Sequence, residues 1–138
     1  MTTPMSKPRP GPMKLIDATQ YRLPLAAKVS ILHRASGVIM FVLMPFIIWM
    51  FDASVSSEIS FAKFRHAFNN GATGVLFKLV ALGLIWAYLH HFIAGVRHLW
   101  MDATHSVSKA QGRSSALVTL VASALLTVLL GAKLFGLF

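Results

Sequence analysis

Three long apolar segments dominate the chain, and polar residues separate them. The segments cover about 29–51, 75–96 and 116–138, and each holds 22 or 23 residues. A helix needs roughly 20 residues, at ~1.5 Å each, to cross the ~30 Å hydrocarbon core of a bilayer. A membrane β-barrel would need many more segments, each with alternating polarity. The pattern therefore predicts an all-α integral membrane protein with three transmembrane helices.

The segment between the first two spans has a pattern of its own. Phe61, Phe64 and Phe68 recur there at helical spacing. This spacing predicts a short amphipathic helix at the membrane interface, and an irregular loop with aromatic anchors is the alternative. Pro45 lies in the middle of the first span. Because proline removes a helical hydrogen bond, it predicts a kink there, although membrane helices tolerate such residues.

The basic residues predict the orientation of the chain. Five of them precede the first span and three follow the second, whereas the loop 52–74 has only Lys63 and Arg65. The positive-inside rule then places the N-terminus in the cytoplasm and the C-terminus in the periplasm of a bacterial inner membrane, or the N-terminus in the matrix of a mitochondrion. We expect residues 1–28 to be an extended or interfacial segment and residues 29–138 to form the membrane domain.

Composition narrows the chemistry. Only 12% of the residues are charged and 56% are hydrophobic, as suits a chain solvated by lipid. The absence of Cys excludes disulfides, thiol nucleophiles and Cys-ligated zinc or iron–sulfur clusters within this chain, and leaves six His as potential ligands. The net charge of +9 is spread over loops and helix ends without a dense basic patch, so we expect no nucleic-acid partner.

Two polar clusters interrupt the apolar pattern. In the first, a helix would place Ser30, His33, Arg34 and Gly37 on one face. In the second, His91 and His98 are seven residues apart and so lie within about 20° of each other on a helix, with Gly95 between them.

Antiparallel spans would bring both clusters to the inner half of the bilayer, where ionisable residues are costly and usually functional. Arg97 could extend to the headgroups, and His90 could face headgroups or a partner. His91 is deeper and beside a glycine, which favours cofactor binding. Since one His cannot ligate a haem on both sides, a second ligand would have to come from elsewhere, and we expect a partner subunit to supply it.

The two clusters resemble a known family. Residues 30–38, Ser-Ile-Leu-His-Arg-Ala-Ser-Gly-Val, are similar to the S-x-x-H-R-x-[ST]-G signature of the succinate dehydrogenase cytochrome b subunits. Residues 91–102 resemble the second signature of that family, H-x-x-x-G-[IV]-R-H followed by Asp. The resemblance extends over about 22–138 and both motifs occur in the expected order.

This resemblance implies the large membrane anchor of complex II, which is half of a heterodimeric helix bundle. Its expected partners are a second small anchor subunit, an iron–sulfur subunit and a flavoprotein subunit. Succinate is oxidised on the flavoprotein, so no catalytic residue for that step is expected in this chain. The cofactor would be one haem b shared with the second anchor, and the substrate would be ubiquinone.

The motifs also carry expected site residues. His91 matches the axial ligand of the haem iron. The other residues matched to the haem environment are His33, Arg34, Gly95 and His98. The residues matched to the quinone site are Ser30, Ile31 and Arg34.

Three other functions stay open from the sequence. A fumarate reductase anchor would work in the opposite direction with similar residues. A structural anchor would lack haem, although His91 argues against it. A transporter or proton-relay subunit would use the same His and Arg residues, but the chain has neither inverted repeats nor an acidic residue inside a span.

Overall fold

The computed structural model describes residues 11, 12, 14, 16 and 21–138. Residues 21–138 form five helices, which are α1 (Leu25–Val42), α2 (Met44–Val55), α3 (Glu58–Asn69), α4 (Gly71–Thr104) and α5 (Lys109–Leu134). Helices α1, α4 and α5 are long and apolar enough to cross a membrane, so the all-helical architecture with three spans is confirmed. The extended or interfacial structure expected for residues 1–28 falls largely outside the described residues.

The first predicted span, 29–51, is divided by a break at Leu43. Helix α1 begins earlier than predicted, at Leu25, so residues 25–28 belong to it rather than to an N-terminal segment. Pro45 occupies the first turn of α2. Because proline has no N–H, it cannot bond to the carbonyl of the preceding turn, and the chain starts a new helix instead. The kink expected at Pro45 is confirmed as this break.

The other two spans begin before the apolar segments that predicted them. Helix α4 has 34 residues, a length of about 51 Å, which exceeds a bilayer core. It ends where His105 adopts a left-handed conformation with φ 51°. Helix α5 starts at Lys109 rather than at 116 because Ser108 and Gln111 form a capping box. Capping, rather than hydropathy, therefore sets these helix ends.

Helix α3 confirms the short helix predicted in the first loop, while its position at a membrane interface stays a prediction. Two of its three phenylalanines face the bundle. Phe64 and Phe68 have ring centroids 4.8 Å apart, and Phe68 lies 5.6 Å from Phe77 of α4. Trp49 of α2 lies 5.4 Å from the same Phe77 ring. This aromatic cluster holds α2 and α3 against the start of α4.

Small residues fill the space between the spans. Val29, Ala94 and Ala116 have no exposed surface and form a core shared by α1, α4 and α5. Large apolar side chains point outward instead, such as Phe41 with 75% of its surface exposed. This arrangement suits a bundle in lipid, where close packing of small residues rather than burial of large ones holds helices together.

Candidate functional site

Helices α1 and α4 run antiparallel and bring the two predicted polar clusters together. The rings of His33 and His91 stack, with centroids 4.1 Å apart and an interplanar angle of 22°. The ring of His98, two turns along α4 from His91, lies 5.3 Å from that of His33. Three of the residues expected at the haem site, His33, His91 and His98, therefore lie close together.

The Nδ1 atom of His91 is held by α1. It lies 3.0 Å from the backbone carbonyl oxygen of His33 and 3.2 Å from the hydroxyl oxygen of Ser36. The Ser36 hydroxyl itself donates to the His33 carbonyl at 2.8 Å. Since a carbonyl oxygen can only accept, Nδ1 of His91 must carry the proton in this arrangement. A neutral ring then has its free lone pair on Nε2, the atom available to a metal.

Two glycines give these rings their room. A Cβ atom on Gly37 would lie 3.1 Å from Cε1 of His91 and 3.4 Å from its Nδ1. A Cβ atom on Gly95 would lie 3.6 Å from Nε2 of His33, an ordinary contact. There is thus little space between Gly37 and the His91 ring, whereas there is more space between Gly95 and the His33 ring.

The residues expected at the quinone site lie on a different part of α1. Ser30 is half-buried, Ile31 is 50% exposed and Arg34 is exposed. His33 and Gly37 contact α4, so the single face predicted for these residues is divided between the α4 contact and the outer surface. The cause is the wide arc that four such positions span on a helix. The exposed part is open to a partner.

Ser36 was not among the sequence-predicted site residues, although it is completely buried and contacts His91. Its position in the first motif, one turn after His33, was visible in the sequence. Nothing in the spacing alone distinguishes it from the many serines that bond to the preceding turn of their own helix.

His90 does not face headgroups or a partner, so that expectation was wrong. Its side chain is 0% exposed. Nδ1 lies 3.3 Å from the Ser123 hydroxyl oxygen on α5, and the ring stacks on Trp86 with centroids 5.5 Å apart. Nε2 is buried without a hydrogen-bond partner among the residues described. His90 lies about 100° around α4 from His91, and this side of α4 packs against α5.

Arg97 does not extend to the headgroups either. It is 7% exposed, and its guanidinium turns onto α5. Nε donates to the Ser115 hydroxyl at 3.0 Å, and one terminal nitrogen donates to the Gly112 carbonyl at 3.2 Å. Polar residues recur at every fourth position of α5, namely Ser115, Thr119, Ser123 and Thr127. This repeat could have predicted that one side of α5 receives polar side chains from a neighbouring helix.

The residues present fit a haem with one axial ligand from this chain. His91 has a fixed ring with Nε2 as the atom left for iron, and Gly37 and Gly95 keep side chains away from the paired rings. His33 stacks on His91 in this arrangement, so His33 would not supply a second ligand to an iron held by His91.

Comparisons with known proteins identify the family of the chain. A family profile described as "Succinate dehydrogenase/Fumarate reductase transmembrane subunit" matches residues 5–130. The succinate dehydrogenase cytochrome b556 subunit of Coxiella burnetii is 34% identical over 84% of this chain and 90% of its own length. The same subunit of Paracoccus denitrificans is 33% identical, over 79% and 81% of the two chains. The chain belongs to the family of succinate dehydrogenase/fumarate reductase transmembrane subunits.

Proposed function

We propose that this chain is the cytochrome b anchor subunit of a succinate:ubiquinone oxidoreductase. Two relatives, which this chain matches over most of their length, are named as the cytochrome b556 subunit of succinate dehydrogenase. The observation that carries the proposal is the immobilised His91, whose Nδ1 bonds to α1 and whose Nε2 is left for iron. A purely structural anchor has no need for such a ring inside a span, where a polar side chain is costly.

His91 would hold a haem b through Nε2, and the second anchor subunit would provide the other ligand. A haem held there would supply one-electron transfer. Ser36 and the His33 carbonyl fix the tautomer and orientation of His91, as outer-shell partners of metal-binding histidines commonly do. The His33, Arg34 and His98 side chains supply cationic or hydrogen-bonding groups for the haem propionates, and Gly95 keeps the α4 backbone accessible.

Ubiquinone binds beside this haem, where α1 meets a partner. The Ser30 hydroxyl donates a hydrogen bond to a quinone carbonyl oxygen and Ile31 contacts the apolar ring. Arg34 stabilises the negative charge that develops during reduction, and it acts electrostatically because a guanidinium stays protonated. The exposure of Ile31 and Arg34 supports a site completed by another subunit. Water or partner residues supply the protons.

The remaining subunits bind at the cytoplasmic face. The excess of Lys and Arg before α1 and between α4 and α5 supports an inner-membrane protein with a cytoplasmic N-terminus and a periplasmic C-terminus. A flavoprotein subunit and an iron–sulfur subunit then dock on the side of the quinone, so that electrons from succinate reach it through the clusters.

The test uses the complex purified with its co-purifying subunits. A reduced-minus-oxidised spectrum should show a b-type signal that His91→Leu abolishes and that the exposed His66→Leu leaves intact. Ser30→Ala should lower succinate-driven ubiquinone reduction, while Ser54→Ala, in α2, should not. An unchanged haem signal in His91→Leu would refute the ligand assignment. Wild-type turnover in Ser30→Ala would refute the hydrogen-bond role, and net turnover only toward succinate would identify a fumarate reductase anchor.

A further inference from the structure

A cleft lies between the end of α4 and the start of α5, on the flank of α4 away from the paired histidines. Its volume is about 520 Å³. The polar end of the cleft is defined by Arg97, Ser106 and Gln111. The apolar end is defined by Ile93, Val96 and Val118. The proposed haem and quinone residues lie outside its lining, so the cleft is distinct from that site.

The polar end holds a charge that none of the residues the structure describes neutralises. Arg97 is 93% buried, as only 7% of its surface is exposed, and it stays protonated. Its hydrogen bonds go to the hydroxyl of Ser115 and the carbonyl of Gly112, both of which are neutral. No acidic side chain lines the cleft. A buried guanidinium with neutral acceptors calls for an anion, because desolvating an uncompensated charge is costly.

Two further cations flank the polar end. Lys109 and Arg113 line an adjoining depression on α5, and Ser114 belongs to the lining of both cavities. Asp102 is nearby in sequence, but it lies in the lining of neither and is exposed. Guanidinium and ammonium groups on one rim recognise a phosphate well, since they can donate several hydrogen bonds to its oxygens.

The apolar end is open along the outer surface of the bundle. Val96 is 50% exposed and Val118 is 65% exposed. Arg97 lies seven residues before the end of α4, or about 10 Å along the helix axis, so an anionic group that enters the cleft from that end could contact it. A ligand that fills both ends must carry a negative charge at one end and a hydrocarbon chain at the other.

We propose that this cleft binds an anionic phospholipid, with the phosphate at Arg97 and the Lys109–Arg113 rim and an acyl chain along Ile93, Val96 and Val118. A free phosphate would match the cations and leave the apolar end unfilled. A carboxylate from a co-purifying subunit would match Arg97 and leave the exposed valines without a hydrocarbon contact. The lipid satisfies all of these groups, and its binding does not depend on the proposed electron-transfer role.

The experiment is lipid competition monitored by native mass spectrometry of the complex that contains the full chain. The complex is exchanged with equal amounts of dioleoylphosphatidylglycerol and dioleoylphosphatidylcholine. We expect the wild type to retain the anionic lipid with well over tenfold preference, since each of the three cations contributes several-fold to anionic lipid binding. Equal retention of the two lipids, or none of the anionic one, would overturn the proposal in favour of a covering subunit.

Two pairs of variants locate the binding. Lys109→Gln with Arg113→Gln should reduce the preference about tenfold, whereas the same change of the two cations on α3, Lys63→Gln with Arg65→Gln, should not. Val118→Trp should block the apolar end without removing a charge, and Val128→Trp, on α5 outside the cleft, is its control. These side chains are all exposed, so folding is preserved.

Two results would assign the anion site to something other than a lipid. If inorganic phosphate displaces the anionic lipid at equal concentration, the ligand is a small anion. If Val118→Trp retains the lipid as the wild type does, the acyl chain lies elsewhere. Either result overturns the proposal.

Discussion

Replacing Gly37 with alanine tests the geometry around His91 directly. The new methyl carbon would lie 3.1 Å from Cε1 of His91 and 3.4 Å from Nδ1. Carbon atoms separate to about 3.5–4.0 Å at their preferred contact, so the ring must move away by about 0.5 Å. Functional constellations tolerate about that much displacement before they lose function. The movement also lengthens the Nδ1 contacts of 3.0 and 3.2 Å to His33 and Ser36.

We expect Gly37→Ala to weaken haem binding by about tenfold, at the lower end of the 10- to 100-fold losses seen when the partners of a metal ligand are disturbed. The helix itself gains roughly 0.5–1 kcal/mol from the exchange of glycine for alanine, so loss of haem would not reflect unfolding of α1. The assay is haem titration of the purified complex, followed by the b-type absorbance.

Gly83→Ala is the matched control for this prediction. It makes the same chemical change in the facing helix α4, away from the proposed haem residues, and no heavy atom lies within 4 Å of its methyl carbon. Wild-type haem affinity in Gly37→Ala, or an equal loss in both variants, would refute the argument that Gly37 is required for the position of His91.

Three further substitutions should change haem binding or stability by amounts that the structure predicts. Ser36→Ala should weaken haem binding only a few-fold, because His91 keeps its bond to the His33 carbonyl, and the same titration measures it. His90→Phe should change stability by less than about 1 kcal/mol, because it removes the buried, unpartnered Nε2 together with the Nδ1 contact to Ser123; a large drop in Tm would contradict this. Gly74→Ala should destabilise the bundle by about 1–3 kcal/mol in thermal unfolding, since its Cβ would lie 2.8 Å from the Phe68 carbonyl oxygen, while Gly83→Ala, with open space around it, should not.

The apolar pattern predicted the three spans because lipid imposes one length and one polarity on any helix that crosses it. It could not predict where each helix ends. Local hydrogen bonding decides those positions, as in the capping box at Ser108 and the missing amide at Pro45. The first span accordingly begins at Leu25 and breaks at Leu43, rather than running from 29 to 51.

The two motifs located the paired histidines, since antiparallel helices bring residues near 33 and 95 to the same level. They did not predict which neighbour each side chain of a helix would face. His90 and Arg97 were expected at the headgroups or facing a partner, and both are buried against α5 instead. Those positions depend on which flank of α4 the third span covers, and no local pattern in α4 contains that information.

The polar contacts between α4 and α5 also constrain how the chain enters a membrane. Before α5 is present, α4 would lack the groups that bond to His90 and Arg97, and polar or charged side chains without partners are costly to insert in a membrane. The hydroxyls and carbonyl that receive these side chains are synthesised later, on α5. We therefore expect the second and third spans to insert as a hairpin, so that a nascent chain that stops before residue 109 leaves the second span poorly integrated.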